Sequence, residues 1–362
     1  MIGSYSVTVI DTLRGWAGIG KNWDDLLTES GSNAIFLTWE WLYTWAECFL
    51  GADRQLFILA VYKGDDLFGV APWCIHDTRC LGLLKRQIEF LGAPETGSDY
   101  LDVFIKRGKE KEVTRCIYRF LFHEASALWD GLALHEIPSE SLFLLHFLTQ
   151  IAEEGKYAEL QAGSFSPCVG LPQSRGPFLD HLSPNRRQQF RRHYRILQRR
   201  GNVTHHSVRS ENVTLVLKDC RRIYEQRWHK ADAVFSFLEK VISRSEGKDW
   251  IEVDLLDVSG ENIASLVHLR YENTLSMYLM AVDHSFDKSI SIGNILVWLA
   301  IERGISEGIS AYDFLKGSED YKFHWADSGR RCLNLLFYRP RFMPIVGLAG
   351  SCCKSMAKAL LR

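Results

Sequence analysis

The densest group of chemically reactive side chains lies in residues 311–329, which read AYDFLKGSEDYKFHWADSG. This segment follows an apolar, strand-like stretch and combines carboxylates, a lysine and several aromatic rings. A carboxylate such as Asp313 can accept a proton, a phenol such as Tyr321 can donate one, and the Lys322 ammonium can hold an anion. The segment is therefore the first candidate for a reaction site.

Each of these residues also has a purely structural interpretation. Asp313 can cap the turn that follows it, or pair with Lys322 or Arg330, and the rings of Phe314 and Trp325 can belong to a hydrophobic core. The sequence leaves both interpretations open.

A polar turn, Ser291-Ile292-Gly293-Asn294, separates an apolar strand from a helix that is predicted from about Gly293 to Arg303. The first N–H groups of a helix have no intrahelical partner and lie at the positive end of its dipole, so they bind phosphate well. Glycine lets a ligand approach the backbone closely. The turn is a candidate phosphate site, although most strand-to-helix turns with a glycine bind nothing.

The stretch LSPNRRQQFRRHYRILQRRG, residues 182–201, predicts a helix that begins after Ser183, has Pro184 at its first position and ends at Gly201. It contains seven arginines, while its apolar residues recur three or four apart and form one packed face. Three interpretations remain open for the arginines. They form a solvated face paired with nearby acids, a site for a phosphorylated or carboxylated substrate, or a surface for nucleic acid or anionic lipid.

The composition of the chain limits the partners, the cofactors and the location that we expect. The charges nearly cancel, with a formal net charge of −1, so the molecule as a whole has no field that attracts polyanions, and nucleic acid is not the expected partner. The histidines and the nine cysteines show no spacing suited to zinc, so no metal is expected. No apolar run approaches the ~20 residues that span a bilayer, which predicts a soluble, cytoplasmic protein. The GISEG motif around Ser306 fits a hydrolase pattern but follows a helix instead of a strand.

From Ser291 to Trp325 the chain resembles the CelD/BcsL-type acetyltransferases of cellulose and exopolysaccharide biosynthesis, within the GNAT superfamily of acyl-CoA-dependent N-acyltransferases. That family has a Ser-Pro-Gly turn, a helix and then Asp-Phe-x-x-Gly-Asp-Glu-x-Tyr-Lys-x-x-Trp. Here Ile292 replaces the proline and Ser318 replaces the first acid of the second motif. The residues that match are Ser291, Gly293, Asp313, Phe314, Gly317, Glu319, Tyr321, Lys322 and Trp325.

The resemblance extends over most of the chain, through the arginine helix, YEQRWHK (224–230), WEWLYTWAE and GSDYLDVFI (97–105). It implies an α/β fold of two tandem GNAT-like domains, each a mixed β-sheet flanked by helices, as in the Fem aminoacyltransferases. Two hairpin patterns, in residues 55–75 and 249–271, support such a duplication independently.

We place the domain boundary near residue 170, in a segment rich in proline, glycine and serine (161–177). Residues 1–170 would then form a degenerate, acceptor-side GNAT-like domain. Residues 171–345 would form the GNAT domain that binds acyl-CoA, followed by a helical tail, 346–362.

The resemblance also implies roles for individual residues. The pyrophosphate of the donor, acetyl-CoA or another acyl-CoA, is expected at Ser291, Ile292, Gly293 and Asn294. Its pantetheine arm is expected near residues 280–283 and 312–315, beside Phe314.

Acyl transfer further requires a base for the acceptor and an acid for the leaving thiolate, for which Asp313 and Tyr321 are the candidates. Lys322, Arg191 and Arg195 are the candidates for holding an anionic acceptor.

The expected function is acyl transfer to a nitrogen or oxygen of a saccharide or nucleotide-sugar intermediate in polysaccharide or envelope biosynthesis. One alternative is a Fem-like aminoacyl transferase, in which the arginine helix contacts RNA. The other is a GNAT scaffold without catalytic activity that binds the proteins of a polysaccharide synthase complex.

Overall fold

The computed structural model describes residues 5–80, 83–172, 178–209, 212–227 and 232–339. The expected C-terminal tail, 346–362, lies outside these ranges, as do residues 173–177 of the expected linker and the last residues of YEQRWHK. The described parts have a mixed α/β, GNAT-like fold. None of their helices is long and apolar enough to cross a membrane.

The chain divides into two compact units, residues 1–163 with 332–362 and residues 164–331. In the first unit the strands are β1 (Ser6–Ile10), β2 (Arg54–Leu56), β3 (Ile58–Lys63), β4 (Asp66–Ala71), β5 (Trp73–Cys80), β6 (Leu83–Phe90), β7 (Phe104–Ile105) and β8 (Gly131–Pro138). The helices are α1 (Leu13–Ala17), α2 (Gly20–Glu29), α3 (Trp39–Phe49), α4 (Glu110–Arg119) and α5 (Leu142–Glu153). One sheet has the order β1-β3-β4-β7, and the other strands follow the order β8-β6-β5-β2.

Aromatic residues form much of the core of the first unit. Trp41 and Trp45 lie four residues apart on α3, which places them on one face of the helix, and neither is exposed. Helix α3 contains the whole WEWLYTWAE segment, residues 39–47. The hairpin predicted within 55–75 is confirmed as β3 and β4, which pair in antiparallel fashion around Gly64, where φ is 64°.

The second unit contains the arginine helix and the motif of residues 311–329. Its strands are β9 (Glu159–Gly170), β10 (Val203–Val208), β11 (Ile251–Val258), β12 (Glu261–Tyr271), β13 (Thr274–Val282), β14 (Ala311–Asp313) and β15 (Ser328–Tyr338), of which β9 and β15 also include residues of the first unit. Its helices are α6 (Pro184–Arg200), α7 (Val213–Glu225), α8 (Asp232–Arg244) and α9 (Ile292–Ser306).

The strands of the second unit follow the order β10-β11-β12-β13-β14-β9. All these neighbours are antiparallel except β13 and β14, which are parallel and joined by α9. The predicted hairpin of residues 249–271 is confirmed as β11 and β12, with Ser259 and Gly260 both at positive φ in a two-residue turn. Helix α9 packs on β11, β12 and β13 and contributes eight buried residues, so its hydrophobic surface builds the core of this unit.

The arginine helix is confirmed as α6, with Pro184 at its first position. Ser183 precedes it, but the Ser183 side chain makes no capping hydrogen bond. Gly201 ends it with extended backbone, φ 167°, which any residue can adopt. A Cβ at Gly201 would clash with the side chain of Ser259, so close packing explains the glycine here.

Two features of the second unit differ from the sequence prediction. The apolar, strand-like stretch that leads into the motif of residues 311–329 forms a strand of only three residues, β14, because Leu315 and Gly317 both have positive φ and turn the chain away. The division expected near residue 170 also differs from the structure, in which residues 159–170 form β9. The chain divides between residues 163 and 164 and again between residues 331 and 332. Pro167 cannot donate a backbone hydrogen bond, but its carbonyl accepts the N–H of Phe314 at 2.9 Å, so proline does not interrupt the structure there.

Candidate functional site

A cavity of about 380 Å³ opens in the second unit where β13 ends and α9 begins. The loop of residues 283–291 forms much of its wall, and Tyr321 contributes from the motif of residues 311–329. The lining residues are Met280, Val282, Asp283, His284, Asp287, Lys288, Ile290, Ser291, Ile292, Gly293, Asn294 and Tyr321. The structure therefore brings together the whole predicted phosphate-binding turn and one of the two predicted catalytic residues.

The start of α9 has backbone donors that its N-cap residue does not use. The Ser291 carbonyl accepts the N–H of Ile295 at 3.2 Å, so the N–H groups of residues 292–294 precede the first intrahelical bond. Ser291 does not cap them, because its Oγ accepts a hydrogen bond from the Asn294 side chain at 2.8 Å. Donors at the positive end of a 15-residue helix thus line the cavity, which suits an anion.

Gly293 lets α9 begin close to the sheet. A Cβ at this position would lie 2.9 Å from the Met280 sulfur and 3.3 Å from a methyl carbon of Val282. Both of those residues are on β13 and line the cavity. The glycine is therefore required for packing of the helix on the strand, whatever ligand approaches it.

Next to this cavity the two parallel strands separate. Strand β13 pairs with β14 over only three residues, from Thr274↔Ala311 to Ser276↔Asp313. Strand β14 ends there, whereas β13 continues to Val282 and pairs only with β12 among the described strands. Backbone groups on the free edge of β13 can hydrogen-bond an extended ligand, as an added strand would.

Tyr321 and Phe314 have different environments. Tyr321 lines the cavity, and burial, followed by the charge of Glu319, raises the pKa of its phenol. The phenol therefore stays protonated at neutral pH. Phe314 has no exposed surface, and its ring lies 4.9 Å from that of Tyr312, so the structure places it in the core and not in the cavity wall.

Asp313 lies where β13 and β14 separate, and only 2% of it is exposed. Its Oδ1 accepts the N–H of Leu315 at 2.8 Å, so the carboxylate caps the turn at the end of β14. Burial, followed by the nearby Asp313 charge, raises the pKa of the Cys168 thiol to about 12, so this thiol is not a nucleophile at neutral pH. Asp313 thus caps the turn after β14, and its carboxylate lies at the point where β13 and β14 cease to pair.

Lys322 points into the protein, with 4% of the residue exposed. Its Nζ donates to the carbonyls of Lys316 (2.8 Å) and Leu315 (3.4 Å) and lies 3.1 Å from a carboxylate oxygen of Glu319. A Cβ at Gly317 would clash with this ion pair. The ammonium is therefore used to close the loop of residues 315–322, and in this structure it does not face the cavity.

Arg191 and Arg195 lie on the exposed side of α6. Arg187 and Arg191 approach Asp180 at 3.1 Å and 3.8 Å, and the Arg195 Nε donates to the carbonyl of Arg191 at 3.2 Å. The helix itself contains no acidic residue. Arg200 lies 2.8 Å from Asp287, so three of the seven arginines approach a carboxylate among the described residues.

Two contacts of the turn at residues 291–294 were not predicted from the sequence. His193 Nδ1 accepts the N–H of Ser291 at 3.3 Å, which links α6 to the start of α9. Trp325 Nε1 donates to the Asn294 Oδ1 at 3.2 Å, which links the motif to the same turn. Trp325 belongs to the motif that the sequence analysis identified, whereas no local sequence pattern distinguishes His193 from the arginines around it.

A partly buried ionic network lies near the other end of α9, in the same unit. It contains three carboxylates and three guanidinium groups, those of Glu252, Asp254, Glu307, Arg209, Arg270 and Arg303. His205 Nε2 lies 2.7 Å from Asp254, and His268 Nε2 lies 2.8 Å from the Tyr312 hydroxyl. The sequence signal was the pair Glu252 and Asp254, which share one face of the mainly apolar strand β11.

Glu252, Asp254 and His268 are also the one described group whose side chains could hold a metal, since their ligand atoms lie within 4.8 Å of one another. The arginines already neutralise these carboxylates. Burial opposes ionisation of Asp254, but hydrogen bonds from His205 and His268 and the charge of Arg303 hold its pKa well below the usual range. We interpret the group as a structural network.

Comparisons with known proteins give a domain family and similar folds. Residues 184–323 match the acetyltransferase (GNAT) domain family. No curated protein matches the chain. FemX superimposes with a TM-score of 0.60 at 10% identity, over 95% of this chain and 99% of FemX.

Two further solved structures are similar. A conserved protein of unknown function from Bacteroides thetaiotaomicron has a TM-score of 0.55 at 10% identity, over 92% of this chain and 100% of its own. L-PGS from Bacillus licheniformis has a TM-score of 0.52 at 14% identity, over 90% of this chain and 93% of its own. At these identities the superpositions establish the fold, and the family match assigns residues 184–323 to the acetyltransferase (GNAT) domain family.

Proposed function

We propose that the chain transfers an acyl group, in the first instance acetyl, from an acyl-CoA to an amine or hydroxyl group. The supporting observation is the cavity at the start of α9, where an anion-binding helix N-terminus adjoins the free edge of β13. An acyl-CoA has both matching parts, a pyrophosphate and an arm that contains amides. In this proposal the N–H groups of residues 292–294 bind the pyrophosphate, and the arm extends along β13 toward Asp313.

The proposed reaction has a single transfer step. The acceptor nitrogen or oxygen attacks the thioester carbonyl, the carbon–sulfur bond breaks, and the acyl group passes to the acceptor. Asp313 takes the acceptor proton and Tyr321 gives its proton to the CoA thiolate, after which both residues exchange protons with water. The position of Tyr321 in the cavity wall supports its role as the acid. Its raised pKa keeps the phenol protonated at neutral pH.

We propose a saccharide or nucleotide-sugar intermediate of polysaccharide or envelope biosynthesis as the acceptor, in the cytoplasm, where acyl-CoA is made. The motif resemblance supports this substrate class. The exposed arginines of α6, among them Arg191 and Arg195, support an acceptor with an anionic group.

The deciding experiment measures CoA binding by calorimetry and thiol release from acetyl-CoA with and without candidate acceptors. We expect CoA to bind and thiol release to rise with the right acceptor. Failure to bind CoA would exclude the proposal. Binding without release, across anionic saccharides and nucleotide sugars, would favour a scaffold in a polysaccharide synthase complex.

A Fem-like aminoacyl transferase is the second candidate, because FemX superimposes on 95% of the chain and α6 carries seven arginines. That function predicts salt-sensitive RNA binding that Arg191→Ala and Arg195→Ala abolish. Arg14→Ala, at an exposed arginine on α1, is the matched control. Under the acetyltransferase proposal the same two substitutions raise the KM for the acceptor and leave CoA affinity unchanged.

A further inference from the structure

From the arginine helix, His193 contacts Ser291, one of the residues that line the cavity. The residue is only partly exposed, and its Nδ1 lies 3.3 Å from the backbone nitrogen of Ser291, the N-cap residue of α9. Because a backbone N–H can only donate, Nδ1 must carry no proton in this contact. The ring is then neutral, with its proton on Nε2.

The surroundings favour the same neutral form. Burial, followed by the positive charge of Arg192, lowers the pKa of His193. The hydrogen bond to Ser291 is therefore present at neutral pH and is lost when the ring becomes protonated in acid.

A second contact from α6 reaches the same loop. Arg200 Nη2 donates to the Asp287 Oδ2 at 2.8 Å, and Asp287 Oδ1 in turn accepts the Ser289 N–H at 2.8 Å. His193 and Arg200 lie seven residues apart, about 10 Å along the helix. Helix α6 thus holds the loop of residues 283–291 at two points, one beside the helix N-terminus and one further out.

We propose that His193 is a positioning residue for the acyl donor, a proposal that rests on the function proposed above. By accepting the N–H of Ser291, it fixes the first turn of α9 and leaves the N–H groups of residues 292–294 aimed into the cavity. The same contact couples donor binding to pH, because protonation of the ring removes the acceptor.

Other groups around the cavity also carry charge or titrate. Arg192 acts on His193 from its own helix, and the ionisable residues that line the cavity are Asp283, His284, Asp287, Lys288 and Tyr321. A positive charge on His284, which is exposed at the cavity, would attract phosphate and oppose the effect of His193. The pH dependence of His193 is therefore measured in a His284→Gln background.

The test compares CoA affinity at pH 7.5 and pH 5.5 for three variants of the full chain. His193→Leu removes the acceptor, and we expect about fivefold weaker CoA binding at pH 7.5, the value of one ordinary hydrogen bond. His193→Asn keeps an acceptor atom in the place of Nδ1 and cannot titrate, so affinity should stay near wild type and lose its decline toward pH 5.5. His206→Asn, at an exposed histidine on β10, is the control and should change neither quantity.

The outcomes separate the two proposals. If the wild type does not bind CoA, the proposed function fails and the role of His193 fails with it. If the wild type binds CoA but His193→Leu binds equally well, or if His193→Asn keeps the acid decline, only the role of His193 is overturned. Should His193→Leu not fold, the pH profile of His193→Asn still decides.

Discussion

Trp325 Nε1 donates a hydrogen bond to the Asn294 Oδ1 over 3.2 Å. The ring of Trp325 also stacks on Phe190 of α6 at a centroid distance of 4.5 Å. One side chain therefore joins the motif of residues 311–329, the first turn of α9 and the arginine helix. These are the three segments in which the sequence predicted ligand-binding residues, and in the second unit they belong to one local structure.

The first prediction uses Asn294 to separate ligand binding from stability. Asn294→Asp is isosteric, keeps the acceptor for Trp325 and places a carboxylate in the first turn of α9, where negative charge stabilises a helix by about 0.3–1 kcal/mol. The same charge would lie beside the donor phosphates. We expect CoA affinity, measured by calorimetry, to fall at least tenfold while the melting temperature is unchanged or higher.

The control for this prediction is Asn294→Gln, which is neutral. It should bind CoA more tightly than the aspartate variant does. Gly293→Asp is a poorer probe, because the Cβ alone would meet the Met280 sulfur at 2.9 Å and the substitution would disturb folding. Equal CoA affinity in the wild type and Asn294→Asp would remove the phosphate site from this turn.

Local patterns were sufficient to predict much of the second unit. The residues at the helix ends and the spacing of the apolar residues predicted α6, and a strand–turn–strand pattern predicted β11 and β12. Both predictions succeeded because these signals act over short stretches of chain. The orientation of Lys322 was not predictable, since it depends on the carbonyls of Leu315 and Lys316 after a turn with positive φ. Tertiary contacts likewise decide the positions of Phe314 and His193.

The second prediction tests the two roles of Asp313. Asp313→Asn retains an oxygen that can accept the Leu315 N–H but cannot take a proton. If the carboxylate is the base, kcat should fall roughly 100-fold or more with little change in stability. Asp313→Ala removes the cap as well and should lower both kcat and the melting temperature. Near-native turnover of a folded Asp313→Asn variant would leave the residue as a cap only.

The third prediction concerns the buried Lys322. Lys322→Met keeps the length of the side chain but leaves the carbonyl of Lys316 without its donor, so we expect a loss of about 1–3 kcal/mol in the free energy of unfolding. Lys21→Met, at an exposed position on α2, should cost much less. A higher acceptor KM with unchanged stability would instead assign Lys322 to the anionic acceptor.

The fourth prediction follows from the ionic network. Burial opposes ionisation of Glu307, but hydrogen bonds from three arginines lower its pKa to about 2, below its value in an unfolded chain. A depressed carboxylate pKa stabilises the folded state above the unfolded pKa, about 4.3, and this contribution is lost as the pH falls toward 2. Glu307→Gln should therefore make the melting temperature less dependent on pH between about 4.5 and 2. An unchanged slope would show that Glu307 contributes little.

The last prediction concerns Tyr321, the one predicted catalytic residue that lines the cavity. Burial and the charge of Glu319 raise the pKa of its phenol, so the group is protonated throughout the neutral range. In the proposed reaction this proton passes to the CoA thiolate. Tyr321→Phe keeps the ring, which packs partly against the core, and removes only the hydroxyl.

We expect Tyr321→Phe to lower kcat by roughly 100-fold or more while CoA affinity and melting temperature stay near wild type. A donor whose leaving thiol is more acidic needs less help from an acid, so an activated thioester such as an acyl-thiophenol should restore much of the lost rate. Phe323→Leu, at an exposed ring two residues away, is the matched control and should keep the wild-type rate with acetyl-CoA. If Tyr321→Phe binds CoA and turns over acetyl-CoA normally, or if its lost rate is the same for both donors, the phenol does not protonate the leaving group, and another proton source must serve the thiolate.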